Sequence, residues 1–296
     1  MEEKIFIDPF SDTGFKSIFG REGVSEVLIK EFLNEIFRDQ PFFEEITDVY
    51  FNNTERQKQT REGKTIIHDV TCVTKEGHHF ILEMQKVNQD FFMLRSFFYV
   101  AKGVTDQGMR EQGDEKFEYR FMPVTGVYIS TFHVREMPEK LLTHVGLCDT
   151  DTGKMIDNHI RFAYIQMPYF NKKEEECETK FEKIIYTLKH MPTLHIIPFQ
   201  QTQGDFFSQI DKAARYAALS REEKMAYDEE MREFWDRGAQ LATAERKGRA
   251  EGRAEGRVEG IDIGKRSTAV NLKNMGFSAA DIAKATGLPL SEIEKL

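Results

Sequence analysis

The sequence predicts an α/β protein: a mixed sheet flanked by helices, followed by an all-helical C-terminal tail. Three observations predict it. Short runs with period-two alternation lie between stretches of helical spacing. Two of those runs are close enough to form an antiparallel hairpin. After about Gly204 the composition turns to helix formers and charges.

The elements follow in order. Ser11 and Asp12 offer a helix cap before Phe15, Ile18 and Phe19, and a second helix is spaced through Val24, Val27, Leu28, Phe32, Leu33, Ile36 and Phe37. Ile46 to Asn52 reads as a first strand and the polar run Asn53 to Lys64 as a loop. Ile66–Thr74 and His78–Gln85 alternate with period two around Lys75-Glu76-Gly77, where glycine suits a left-handed turn residue. Phe91–Thr105 reads as helix, Val124–Phe132 and Ile160–Met167 as strands, and Thr179–Lys189 as helix. Beyond the boundary, Asp211–Leu219 and Arg221–Gly238 read as helices. The expected domains are residues 1–204, a helical connector at 205–238, a glycine-repeat helix at 239–266 and a small helical unit at 267–296.

Composition narrows the function classes. With 40% hydrophobic and 31% charged residues the chain reads as globular. The net charge of -9 weighs against a surface that is basic throughout, so DNA contact would need a local basic patch. Cys72, Cys148 and Cys177 form no CxxC pair, and His68, His78 and His79 lack ligand spacing to them, which excludes a zinc knuckle. The start Met1-Glu2-Glu3 does not resemble a secretory signal. Phe91–Ala101, the most apolar window, is short and carries Arg95, so no membrane span is expected. A cytoplasmic, bacterial setting is the expectation.

Strand alternation places the chemistry on the hairpin. His68, Val70 and Cys72 share one face of the first strand, and Asp69 and Thr71 the other. On the second strand Phe80, Leu82 and Met84 oppose Ile81, Glu83 and Gln85. With a three-residue turn Thr74 pairs with His78, and counting back sets Asp69 across from Glu83. Facing residues have Cβ atoms roughly 4.5–5.5 Å apart, where two carboxylates repel unless a proton or a cation lies between them. The pair therefore reads in two ways: as ligands of a divalent cation such as Mg²⁺, which takes oxygen donors, or as ordinary solvent-facing residues of an edge hairpin.

Ser11-Asp12-Thr13-Gly14-Phe15-Lys16, then Asp69, then Ile81-Leu82-Glu83-Met84-Gln85 resemble the Rpn-type recombination-promoting nucleases, the PD-(D/E)XK family transposases. The aromatic helix with Arg95 and Tyr99 and the glycine-repeat tail fit the same pattern. The resemblance implies a restriction-endonuclease-like core, dependence on Mg²⁺ (Mn²⁺ in its place), and hydrolysis of DNA phosphodiesters. It implies Asp69 and Glu83 as metal ligands, with Gln85 where the wider superfamily has lysine. Glutamine orients by hydrogen bonds but adds no charge, so Gln85 marks either a variant site or a slow enzyme. Asp12 reads equally as a third acid and as a first-turn carboxylate favoured by the helix dipole. Lys16 would touch phosphate or pair with a nearby acid. Arg95 and Tyr99, at i and i+4, would line the DNA groove, although Phe91, Phe92, Phe97 and Phe98 suggest that the helix mainly packs the core.

The tail repeats Gly-Arg-Ala-Glu with glycines at 248, 252, 256, 260 and 264. As a lone helix it stacks like charges at i,i+4 and loses about 1 kcal/mol per glycine relative to alanine. Beside a second copy, arginine stripes would meet glutamate stripes, so a homo-oligomer is expected, the alternative being a charged linker. Ser278, Ile282, Ala283, Thr286-Gly287-Leu288, Ser291 and Ile293 resemble a helix-turn-helix pattern, one that any small helical cap would share. The functional expectation is an Mg²⁺-dependent DNA endonuclease. Its competitor is a catalytically weak DNA-binding or assembly protein that works through its tail.

Overall fold

The computed structural model describes residues 5–41, 43–51, 70–88, 90–110, 121–200 and 205–296. Its centre is a six-stranded mixed sheet in the order β1-β2-β3-β4-β6-β5. The strands are β1 Val49–Phe51, β2 Val70–Thr74, β3 His79–Gln85, β4 Val124–Ser130, β5 Leu142–Cys148 and β6 Met155–Gln166. β2 runs antiparallel to its neighbours β1 and β3; β3, β4 and β6 run parallel, and β5 closes the far edge antiparallel to β6. The mixed α/β class is the expected one.

Helices cover both faces. On one lie α1 Asp12–Phe19, α2 Glu26–Phe37, α4 Lys180–His190 and α5 Asp205–Ala214, whose Phe15, Phe19, Leu28, Phe32, Ile184 and Phe206 join Phe80, Leu82, Val127 and Ile165 of the sheet in one core. On the other lies α3 Phe92–Arg110, the connection between parallel strands β3 and β4. Its Phe92 and Val100 pack on Ile81, Val124, Tyr128, Phe162 and Tyr164. Parallel neighbours require such a crossover, and burial on both faces explains why β4 is buried along its whole length.

The local signals worked where side chains settle the backbone. Ser11 caps α1 by accepting from the Gly14 N–H at 3.0 Å. Thr179 and Glu182 form a reciprocal capping box on α4. In the hairpin, Thr74 N–H donates to His78 O and Gly77 N–H to Thr74 O, both at 2.9 Å, with Gly77 at φ 88°.

Several expectations fail instructively. β5 was not foreseen, because Leu142, His144 and Gly146 do not alternate cleanly with their neighbours. β6 starts five residues earlier than Ile160, at Met155, along the edge that β5 supplies. In place of a helix at Asp211–Leu219, α5 occupies Asp205–Ala214 and a single 3₁₀ turn follows at Tyr216–Ala218. The loop expected at Asn53–Lys64 lies outside the described residues.

The chain divides into two compact units, Met1–Met231 and Arg232–Leu296. The first unit thus extends beyond the boundary expected near residue 204. Phe206, Phe207 and Ile210 are fully buried in its core. Ile7 N–H donates to Ala214 O and Tyr216 N–H to Ile5 O, both at 2.9 Å, and Asp8 N–H donates to Tyr227 Oη at 2.8 Å. Helix α6, Arg221–Asn274, begins in the first unit and continues through the glycine repeat in the second. There α7 Ala279–Thr286 and α8 Leu290–Ile293 enclose a small core of Ala269, Ile282, Leu288 and Ile293. Among the described residues no helix is long and apolar enough to cross a membrane.

Candidate functional site

β3 carries the acid foreseen on the hairpin. Its register with β2 pairs Val70 with Leu82, Thr71 with Ile81, Cys72 with Phe80 and Val73 with His79, the register counted from the turn. Asp69 lies outside the described residues. Glu83 is only 3% exposed, because the face it shares with Ile81 is covered rather than wet. The reading of that face as the solvent side of an edge hairpin is thereby corrected: β3 is an interior strand and α3 lies over this side.

The parallel register sets Glu83 beside Tyr128 of β4, and Tyr128 beside Tyr164 of β6. The two tyrosine rings stack at 5.4 Å with an interplanar angle of 21°. Gly126 makes room for them, since a Cβ there would run into the Tyr128 ring and Val100. Tyr128 Oη donates to Ser96 O at 3.0 Å, and Ser96 Oγ and Tyr164 Oη share a bond of 2.5 Å, which fastens α3 to the sheet. Burial pushes the Tyr128 phenol far above its usual range, the Glu83 charge adds to that push, and Arg95 draws it back. Tyr164 is pushed up to about 12 by burial, with the Ser96 bond acting against it. Both phenols therefore stay protonated and neutral at neutral pH.

Arg95 and Tyr99 stand on α3 above these groups, the guanidinium carbon 5.9 Å from the Tyr99 ring centroid. Glu83, Arg95 and Tyr99 all have partners. The expected role of the phenylalanines needs correcting. Phe92 is buried, but Phe91, Phe97 and Phe98 are 75%, 39% and 54% exposed. Phe92, Ser96 and Val100, four residues apart, form the fully buried stripe, flanked by Tyr99 and by Phe97 against Phe162, and Phe98 lies more than half in solvent.

Gln85 ends β3, paired with Ser130, and its carbonyl accepts from Thr131 N–H at 3.1 Å. Lys86 leaves the strand toward the other face and pairs with Asp8 at 2.7 Å. Sequence reasoning missed Asp8, an acid that is 9% exposed and also accepts from Phe10 N–H at 2.9 Å. Its place two residues before Phe10, ahead of the Ser11 cap, was the only signal.

Asp12 is the first residue of α1. It pairs with Lys16 at 2.6 Å while its N–H donates to Glu230 at 2.6 Å. Both bland expectations for these residues, a first-turn carboxylate and a lysine paired with an acid, match that arrangement. Among the described residues no contact joins the Asp12–Lys16 pair to Glu83.

Glu83 and Gln85 present hard oxygens, the donor type that Mg²⁺ takes. Among the described residues no cluster of three His, Cys, Asp or Glu forms around a common point, so the described donors fit a hard divalent ion in type but do not complete its site.

No curated protein and no solved structure matches the chain. A match does come from the PD-(D/E)XK nuclease family transposases, whose profile aligns with residues 9–244 and so spans α1, the whole sheet and the start of α6. Such a family supports a nuclease-like or transposase-like function. With the fold, the hairpin acid and this alignment in agreement, the chain belongs to the PD-(D/E)XK nuclease family of transposases.

Proposed function

We propose that the protein is a DNA endonuclease dependent on a divalent metal, Mg²⁺ or Mn²⁺, with its centre at Glu83. The observation that carries this reading is Glu83 itself: a carboxylate held 3% exposed on an interior strand, beneath a helix bearing Arg95, in a chain of this family. Burial of a carboxylate is costly unless it is paired or coordinates a cation; Glu83 has partners in the fold, and its place on an interior strand of a chain of this nuclease family is what supports a catalytic part for it.

Glu83 would hold the metal together with Asp69, to which the hairpin count assigns the facing position. The bound ion would supply Lewis-acid activation of water and neutralisation of the phosphate. Arg95 would place positive charge toward a phosphate oxygen, its guanidinium suited to oxyanions. Tyr99 would line the approach beside it. Gln85 would orient a hydrogen-bonded group without adding charge. Tyr128 and Tyr164, protonated and bonded to Ser96, fasten α3 to β4 and β6 rather than exchanging protons. Asp12 and Lys16 remain candidates for positioning the start of α1 near DNA, alongside their ion pair.

A nicking assay on supercoiled plasmid with Mg²⁺ tests the reading. Asp69→Ala and Glu83→Ala should each reduce cleavage at least a thousandfold while circular dichroism stays that of the wild type. Unchanged cleavage by either folded variant rejects the assignment. The competing reading, an assembly or DNA-binding protein working through its tail, predicts no metal-dependent nicking by the wild type but retained DNA binding.

A further inference from the structure

On the face of the sheet opposite Glu83 a second site is built around Arg161. β6 alternates, sending Phe162 and Tyr164 toward α3, and Ala163 and Ile165 into the larger core. Arg161 follows Ala163 and Ile165. In the strand register it pairs with Thr125, three residues before Tyr128, so it sits toward the opposite end of the parallel strands from Glu83.

Arg161 is 7% exposed, and its Nε has no hydrogen-bond partner. Among the described residues its guanidinium makes no ion pair. Burial draws its pKa down from the ordinary arginine value, yet arginine remains charged in proteins. A buried cation with no counter-charge costs several kcal/mol. Among the described residues Arg161 bears that cost on the wall of a cavity of about 220 Å³, which it lines together with His78 and Asn158. His78 donates nothing ionic: burial, then the Arg161 charge, push its pKa down to about 3, and its Nε2 lies 2.8 Å from Thr125 Oγ1.

The mouth has the opposite sign. Glu44, Glu45 and Glu76 line the same cavity and are exposed. A phosphate dianion or a nucleic acid would meet three carboxylates before reaching one guanidinium. A molecule with a carboxylate at one end and an ammonium group at the other matches both layers. At ~30 Å³ per water the volume is that of about seven waters, a scale suited to a small metabolite rather than a nucleotide.

We propose that this cavity binds a free α-amino acid, its carboxylate on the Arg161 guanidinium in the paired geometry that arginine favours and its ammonium among Glu44, Glu45 and Glu76. The inference does not rest on the nuclease reading, since the pocket and Glu83 are on different faces. Ligand occupation would remove the cost of the buried charge and stabilise the first compact unit.

Thermal unfolding of the full chain with each of the twenty amino acids at millimolar concentration, and with acetate and inorganic phosphate as controls, tests it. At least one amino acid should raise the unfolding midpoint saturably by several degrees, and neither control should match it. Arg161→Met should abolish that shift while leaving the ligand-free midpoint unchanged or higher, because it removes an unpaired buried charge. Glu44→Gln combined with Glu45→Gln should weaken the apparent affinity severalfold. The proposal is overturned if no amino acid shifts the midpoint, if phosphate does so equally well, or if Arg161→Met keeps the shift. It is overturned too if Arg161→Met unfolds the protein or lowers its ligand-free midpoint, since the guanidinium would then already be satisfied within the fold.

Discussion

Glu83 and Gln85 stand two residues apart on β3, but one is buried and the other half-buried at the strand end. That difference sets what each can do. A charge at Glu83 is felt by Tyr128 within a dry layer, whereas Gln85 sits where water can reach. Gln85→Lys should therefore be tolerated structurally and should keep or raise metal-dependent nicking by restoring the charge used elsewhere in the superfamily. Complete loss in a folded Gln85→Lys protein would mean that the amide makes a specific bond. Two histidines give the molecule an acid limit. Burial, followed by the charges of Lys140 and Arg161, pushes His144 down to about 4. His78 is pushed down to about 3 by burial and then by Arg161, His79 and His159. Below pH 6.5 the unfolded chain takes up protons that these native imidazoles refuse, so stability is full above 6.5 and falls toward pH 4. The slope is at most about 1.4 kcal/mol per pH unit for each group. His144→Phe, which keeps the ring contact to Phe37, should flatten the fall in urea midpoint between pH 7 and pH 5. An identical fall in the variant would show that His144 is not responsible.

Helix α3 shows how one element can be read correctly for position and wrongly for orientation. Its apolar content placed it as a helix, but Phe91, Leu94 and Phe98 are all more than half exposed while Phe92 sits edge-on to Tyr128 and Tyr164, with ring centroids 6.0 Å and 6.3 Å apart. Phe92→Ala should cost about 3–5 kcal/mol, the usual range for a buried aromatic, and should lower nicking by loosening the helix that carries Arg95. Leu94→Ala, two residues on and 61% exposed, should stay within about 0.5 kcal/mol. Chemical denaturation of the two variants side by side decides the matter, and equal costs would contradict the placement of α3. The hairpin is the opposite case. Turn length, glycine and alternation together fixed its register, because a one-residue slip would turn every side chain to the wrong face.

For the whole molecule, the contrast between two truncations is informative. A chain ending after Ala239 retains α5 and the Tyr227 anchor to Asp8 and should fold with its nicking activity intact. A chain ending at residue 204 loses Phe206, Phe207 and Ile210 from the core and should be unfolded or aggregated. Cooperative unfolding of the shorter chain would show that the core closes without α5. The tail poses a separate question. An added Cβ at Gly248, Gly252, Gly256, Gly260 or Gly264 would meet nothing within 4 Å, so packing within this chain does not require these glycines, which suits close approach of a second helix. Light scattering after size exclusion should give a smaller assembly for the chain ending at Ala239 than for the full chain. The same protomer number in both would leave the repeat as a linker.

The sequence by itself determined the class of fold, the hairpin register, the cap at Ser11 and the position of Glu83 on a strand. These are properties of residues near one another in the chain, where periodicity and capping chemistry act directly. Tertiary structure decided the rest. It buried Glu83, by laying α3 across a face that alternation alone left open. It added β5, an edge strand whose pairing partner is what orders it. It moved the boundary from about residue 204 to Met231, because α5 is held by an N-terminal segment some two hundred residues away. It also left Arg161 buried beside a cavity, its Nε without a hydrogen-bond partner and, among the described residues, its guanidinium without an ion pair. Whether a charge finds a partner depends on which distant segments come to surround it, and no local pattern in the sequence records that.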